Sequence, residues 1–481
     1  MGLRFDQTQR ARRCSTVAAP SPSSLHAHAH LARLVAAGAA RLVRCDRTVA
    51  GDLPGFTVEK LADGVYATIR REPPSLFFEP NNLFIIGERD VIVVDAQFSL
   101  ASTRATLAAL RRLTNKPVRY VINTHPHDDH ITGNQVYRDA FPGVEFIAHR
   151  ATRDTMVHAG AAKRAEFVQS LSGTIGFFRR LLASGKGPTG APITDEERAG
   201  FASDSLLGTR YLADAAQLVT VPATIIVDDR FELRQGARVI ELLHLGGGHS
   251  AGDLVVHLPN ERIVASGDLV VLPVPLVGST SHPAAFAEAV AKLRALRATT
   301  IVPGHGPILH DDEKLADIEA MLRDIVAQVA RAVARGDTLA AVRRAVDLTA
   351  HRDRFAGTSA LQRFAFANYV TDPAVAAAFA DAQRLGPAGE VLSAVQRTLG
   401  AHTSSDYRAS SPRASRQARS TAGAMKNASK ARPTASSPCA NRSLNAARST
   451  ARRVASRSSP LATAVRACAR VDSRSSTSRS R

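Results

Sequence analysis

The sequence predicts an α/β protein in which two strand-rich halves, flanked by helices, stack as a layered sandwich. Three observations carry that expectation. β-type runs bounded by turn residues fall into two groups; helical periodicity separates and follows them; and the charge that would mark another class of protein lies outside both groups. The 481 residues carry a formal net charge of +19, but residues 401–481 hold 17 Lys and Arg against 2 Asp and Glu, and residues 1–53 hold 8 against 3. Residues 54–400 are left with 37 basic and 38 acidic side chains. That region is neutral, so its basicity gives no reason to expect nucleic acid as a partner.

In chain order, "GVYATI" (64–69), "NLFIIG" (82–87) and "DVIVVDA" (90–96) read as strands divided by turn residues. "SLASTRATLAALRRL" (99–113) repeats leucine at helical spacing, and "VRYVINT" (118–124) then reads as a buried strand. The second strand-rich half is "EFIAH", "ATIIVDD", "RFELRQGARVIELLHL", "DLVVHLP" and "ERIVASGD". Helical material interrupts the strands at about 150–215 and returns after residue 310 in "DDEKLADIEAMLRDIVAQVARAVARG", "TLAAVRRAVDL" and "DPAVAAAFADAQRLG". The expected organisation is a disordered basic segment 1–53, a folded domain 54–310 with a helical insert near 150–215, a helical extension 311–400, and a disordered Arg/Ser-rich tail 401–481.

The tail has almost no large apolar residues and cannot offset its own ordering entropy, so a disordered tail is preferred over a basic arm for nucleic acid or anionic lipid. "LHAHAH" (25–30) alternates histidines without a carboxylate partner and is not counted as a site. Cys14, Cys45, Cys439 and Cys468 all lie in the end segments, so the central region has neither a disulfide framework nor a thiolate ligand. No run approaches the roughly 18 apolar residues of a membrane span. A cytoplasmic location is the default, with export following only if the apolar segment 31–43, interrupted by Arg33 and Arg41, acts as a signal. Oligomeric state is not specified.

The chemistry concentrates in "NTHPHDDH" (123–130). Residues two apart on a strand face one way, so His125 and His127, at the end of "VRYVINTHPH", are expected to present both imidazoles to one point. Asp129 and His130 then open a helix, pointing back toward the strand end. A metal needs further ligands. They are sought at glycine-flanked turns, where His249 in "GGGHSAGD", Asp268 in "VASGDLVV" and His305 in "IVPGHGP" each end a β-type run. Asp95 orients a metal-binding histidine or caps a turn; Asp253 orients its loop or caps it; Asp128 is read as a turn residue. His149, His244, His257 and His310 are left outside the site, and Phe177 and Phe178 line a pocket or, more simply, belong to the core.

T-H-x-H-x-D-H, then G-x-H, G-D and P-G-H-G, in that order, resembles the metallo-β-lactamase fold superfamily over about residues 57–310, most closely its glyoxalase II and lactone-hydrolase type. The resemblance implies a four-layer αβ/βα sandwich with metal at one edge. It also implies that His125, His127 and His249 hold one metal, that Asp129, His130 and His305 hold a second, and that Asp268 bridges them. The core has no cysteine, which excludes a cysteine-type β-lactamase. The ligands of the glutathione-binding domain of glyoxalase II do not map onto this chain.

The function expected is metal-dependent hydrolysis of a small molecule: two divalent ions, zinc by default and iron or manganese as the alternatives, lower the pKa of a shared water, and the bridging hydroxide attacks an ester, lactone, thioester or amide carbonyl. Asp129 orients the nucleophile and relays its proton. Two rivals stand beside it. One is a nuclease of the same superfamily using the basic tail; the other is a persulfide dioxygenase-like oxidoreductase with one iron.

Overall fold

The computed structural model describes residues 55–71, 79–188, 190–278 and 280–384. The expected disordered ends, and residues 385–400 of the helical extension, lie outside these. Strands β1 (Phe56–Ala62), β2 (Val65–Arg70), β3 (Asn82–Ile86), β4 (Val91–Val94), β5 (Val118–Ile122), β6 (Glu145–His149) and β7 (Ile225–Val227) form a seven-stranded sheet in that spatial order. Its first four strands pair antiparallel and the rest parallel. Strands β8 (Arg230–Gln235), β9 (Arg238–Leu243), β10 (Val255–Leu258), β11 (Ile263–Val271) and β12 (Thr300–His305) form the second sheet, ordered β12-β11-β10-β9-β8.

Period-two alternation explains why these sheets become four layers. On β4, Ile92 and Val94 join the core between the sheets, while Val91 and Val93 face α1 (Leu100–Leu113) and α3 (Asn134–Ala140) through Leu110 and Tyr137. On β11 and β12, Ile263, Ala265 and Val302 face inward. Val264 and Ile301 face outward, in the cluster that holds Phe286 and Val290 of α7 (Pro283–Ala295) and Ile318 and Leu322 of α8 (Glu313–Ala334). The sandwich is therefore helix, sheet, sheet, helix.

The helical insert is present as α4 (Arg150–His158), α5 (Gly160–Ser184) and α6 (Asp195–Asp214), between β6 and β7. The α6 start is specified locally: Thr194 and Glu197 form a reciprocal capping box. The extension continues through α9 (Leu339–Ala345), α10 (Thr349–Ala356), α11 (Ala360–Phe366), a π-turn at Ala367–Thr371 and helix over 372–384. Phe178 is fully buried against Phe201, so of the two aromatics at 177–178 it belongs to the core.

Four local readings are corrected. "EFIAH" and "ATIIVDD", read with the second strand-rich half, supply β6 and β7 of the first sheet. Asp268, expected to end its β-type run, lies inside β11, which continues to Val271. The sequence reading omits β1, whose Lys60 and Glu59 dilute the alternation; the strand exists because Asp63-Gly64 turns it onto β2 beside a bulge, with Gly64 at φ +69 in the left-handed region that glycine favours. Strand β5 ends at Ile122, so His125 and His127 are not strand residues. They sit in the bend that follows, and His127 is the N-cap of the short α2 (Asp128–Ile131), which starts one residue earlier than expected.

Candidate metal centre

The seven residues singled out by spacing come together in two groups: His125, His127, His249 and Asp268, and Asp129, His130 and His305. In the first, His127 Nδ1 lies 3.0 Å from His125 Nε2 and 2.9 Å from His249 Nε2. Asp268 Oδ2 is 3.7 Å from His125 Nε2 and 3.5 Å from His249 Nε2. In the second, His130 Nε2 and His305 Nε2 are 3.3 Å apart, and Asp129 Oδ2 is 3.3 Å and 3.1 Å from them. Asp268 Oδ1 completes this group at 3.3 Å from His130 and 3.5 Å from His305. Convergence of His125 and His127 owes nothing to strand alternation. The first offers Nε2 and the second Nδ1, because the bend turns their rings edge to face at 84°.

Outer contacts fix each ring. Asp95, held at φ +59 just past β4, accepts the Thr124 N–H at Oδ1 and the Thr124 hydroxyl at Oδ2, both at 2.8 Å, and holds His130 Nδ1 at 2.8 Å. With its hydrogen committed to Asp95, the Thr124 oxygen is left to accept from His125 Nδ1 at 3.0 Å. His249 Nδ1 faces the Leu276 carbonyl at 3.0 Å, and His305 Nδ1 faces the Glu79 carbonyl at 3.2 Å. Asp95 therefore holds the His130 ring as well as the Thr124 turn. Asp253 serves its loop, accepting from Ser250 N at 3.0 Å.

These partners test whether a cation fits. A hydrogen on His125 Nδ1 and on His249 Nδ1 leaves lone pairs on both Nε2 atoms, aimed at His127 Nδ1. Burial first, then the neighbouring imidazoles, holds His125 well below the usual histidine range, and burial and His249 push His127 down to about 3. With at most one hydrogen on His127 Nδ1, the two Nε2 atoms that face it at 2.9–3.0 Å cannot both receive a full hydrogen bond, whereas a cation among the three nitrogens satisfies all of them. The separations also match four ligands at about 2.0–2.2 Å around one tetrahedral ion, which stand roughly 3.4 Å apart. In the second group burial would lower His130, but Asp129, Asp268 and Asp95 outweigh it and raise it well above its usual value. That proton occupies the place of a cation between carboxylates. Burial pushes Asp268 up, but His130, His305 and His249 together take it down to about 2, while among the described residues its buried Oδ1 has no hydrogen-bond partner. The donor set fits divalent metal.

Glycine is required where the strands approach. A Cβ on Gly304 would lie 2.0 Å from Asp268 Oδ1, and one on Gly267, at φ +50, 2.8 Å from Thr124. The sequence reading missed the ties across the molecule. Asn81 donates to the carbonyls of Pro303 and Gly306, both at 2.9 Å, on either side of His305. Asp128 is more than a turn residue: its Oδ2 accepts from Tyr211 of α6 at 2.7 Å. Thr280 stands 3.4 Å from His127 Nε2.

The metallo-β-lactamase superfamily model matches residues 76–305, which include all seven residues. Through this segment the chain belongs to the metallo-β-lactamase superfamily. A linear primary-alkylsulfatase of Pseudomonas sp. (strain ATCC 19151) is 26% identical over 249 residues, covering 50% of this chain and 44% of that protein. A β-lactamase-like protein 2 homolog of Caenorhabditis elegans is 20% identical over 254 residues, covering 52% and 64%. The chain thus spans less than two thirds of either relative. Among solved structures, metallo-β-lactamases from Pontibacter korlensis (17% identity, TM-score 0.38, covering 56% of this chain and 99% of that one) and Erythrobacter litoralis (16%, 0.38, 59% and 99%) are similar. Among the described residues no helix is long and apolar enough to cross a membrane.

Proposed function

We propose that this metallo-β-lactamase superfamily chain is a dinuclear metal-dependent hydrolase of a small-molecule ester. The observation that carries the proposal is the division of one carboxylate: Asp268 Oδ2 belongs to the imidazole group and Oδ1 to the carboxylate group. His125, His127, His249 and Asp268 would hold one ion, and Asp129, His130, His305 and Asp268 the other. Zinc suits the first set, while the second, with a carboxylate of its own, also suits iron or manganese. When bound, such ions lower the pKa of coordinated water and polarise the scissile group.

The chain's own residues supply orientation and proton handling. Asp129 is the acceptor that substrate meets, because its side chain is 24% exposed where His130, His305 and Asp268 are 0–2% exposed. It accepts the proton of the attacking water and passes it to the departing oxygen, so that acid and alcohol leave together. Thr124 and Asp95 keep His125 and His130 in the tautomers this requires.

A carboxylic ester, lactone or thioester, the glyoxalase II and lactonase type, is the reading from motif order. A sulfate ester is the second, favoured by the similarity to an alkylsulfatase. A donor set complete for two ions speaks against the single iron of a persulfide dioxygenase, and the basic tail on which a nuclease would rely lies outside the described residues. Metal analysis of the purified full chain, followed by a panel of lactones, thioesters, carboxylic esters and primary alkyl sulfates, tests the proposal. The expected result is two ions per chain and turnover of at least one ester class. One ion per chain, or nuclease activity with no ester turnover, would overturn it.

A further inference from the structure

Beside the metal centre the insert buries a cation that is poorly neutralised. Arg164, on α5, is only 9% exposed, yet the carboxylate that pairs with it, Asp128 Oδ1, is 3.9 Å from its terminal nitrogen. Charge-assisted bonds close to roughly 2.7–2.9 Å, so this pair is not drawn tight. Asp128 Oδ2 is already engaged by the Tyr211 hydroxyl at 2.7 Å. Among the described residues, Arg164 Nε is buried with no hydrogen-bond partner. A guanidinium taken out of water with its Nε unused, the Tyr211 hydroxyl as a neutral neighbour and its counter-ion at 3.9 Å is a costly arrangement, unless an anion completes it.

The location says which anion. Asp128 is the direct neighbour of Asp129, the most exposed member of its donor group. One turn beyond Arg164, Phe167 packs edge-on against Tyr211 at 5.1 Å, and Tyr211 stacks on Phe98 at 4.7 Å. Arg164 and the partly buried Phe167 ring thus share one face of α5. We infer that Arg164 is the specificity-determining residue of the site, receiving the negative charge of an anionic ester whose apolar arm runs along Phe167. The chemical class is a monoanionic ester with a hydrocarbon chain, whether the charge is a sulfate or a carboxylate. Arg rather than Lys suits the role, since its planar fork holds either anion through two donors. This deepens the hydrolase reading and rests on it for the fate of the bound anion, but not for the binding itself.

The test uses the full-length, metal-loaded protein and two ligands that cannot be hydrolysed, decane-1-sulfonate and decan-1-ol, by calorimetry. Wild type is expected to prefer the sulfonate by at least about tenfold, and Arg164→Gln to weaken sulfonate binding by roughly 10- to 100-fold while the ion count stays the same. Arg164→Lys is expected to recover part of the loss. Asp128→Asn, which removes the competing counter-charge, is expected to tighten sulfonate binding several-fold. Kinetics on decyl sulfate and monodecyl succinate then tell the two anions apart, with the Arg164→Gln loss appearing in KM. Equal sulfonate binding by wild type and Arg164→Gln would overturn the inference. So would equal weakening of sulfonate and decanol in Arg164→Gln, or weakening by Asp128→Asn, because both mark a purely structural latch. Arg164-dependent sulfonate binding without turnover of any ester would instead sink the hydrolase reading and leave this one standing.

Discussion

The two donor groups share a carboxylate but are built on opposite principles. Around His125, His127 and His249 the outer contacts are uncharged: a threonine oxygen, a backbone carbonyl, a second threonine at a distance. Around His130 and His305 they include Asp95 and the group's own Asp129. Burial keeps His125 and His127 below the usual histidine range and so neutral, while Asp129, Asp268 and Asp95 hold on His130 a proton that an ion must displace. What the difference teaches is that two adjacent sites made of the same residue types need not take up metal at the same pH or prefer the same element.

The harshest way to break the comparison is to remove what the groups share. Asp268→Ala is expected to leave less than one ion per chain and to lower ester turnover by at least about a thousand-fold, read by metal analysis and kcat/KM. An unchanged ion count would mean that the two groups are independent. Next in size, His249→Ala and His305→Ala should each drop the count from two to one. The ion retained by His249→Ala is expected to exchange more readily for manganese, since its group is the richer in oxygen.

Asp95→Asn sharpens the contrast. It should cost roughly 10- to 100-fold in affinity at the second group and less at the first, which it reaches only through Thr124, as measured by competition with a chelator. Proton release follows the same division. With His130 raised in the metal-free protein, an ion entering the second group at neutral pH expels a proton, and its apparent affinity rises as pH rises toward that raised pKa. With His125 held well below its usual range and His127 near 3, those two imidazoles expel none. Titrations in buffers of different ionisation enthalpy measure both. The smallest effect belongs to Thr280→Ala, expected to shift affinity at the first group by no more than about threefold, given its 3.4 Å distance from His127.

All seven clustered residues were legible from the chain because each lies beside glycine or inside one octapeptide, and such punctuation is local, although Asp268 sits within β11 and not at its end. Gly304 shows why the glycines matter: the seat of Asp268 has no room for a methyl group. The wrong part was the reason for convergence. Alternation along β5 accounts for neither His125 nor His127, since the strand stops at Ile122. Missed altogether were Asn81, Tyr211 and Arg164, which reach the site from 224, 83 and 36 residues away, measured to His305, Asp128 and Asp128. Contacts at that separation leave no periodic trace.

A carboxylate whose two oxygens serve different ions cannot rotate for one without moving for the other. An ion in one group would fix the side-chain torsion of Asp268 and so set the free energy of loading its neighbour. Reciprocity then demands that the coupling be the same whichever ion arrives first. Two ions held by these groups would form a single thermodynamic unit with one interaction constant, and the half-loaded protein would be a distinct species.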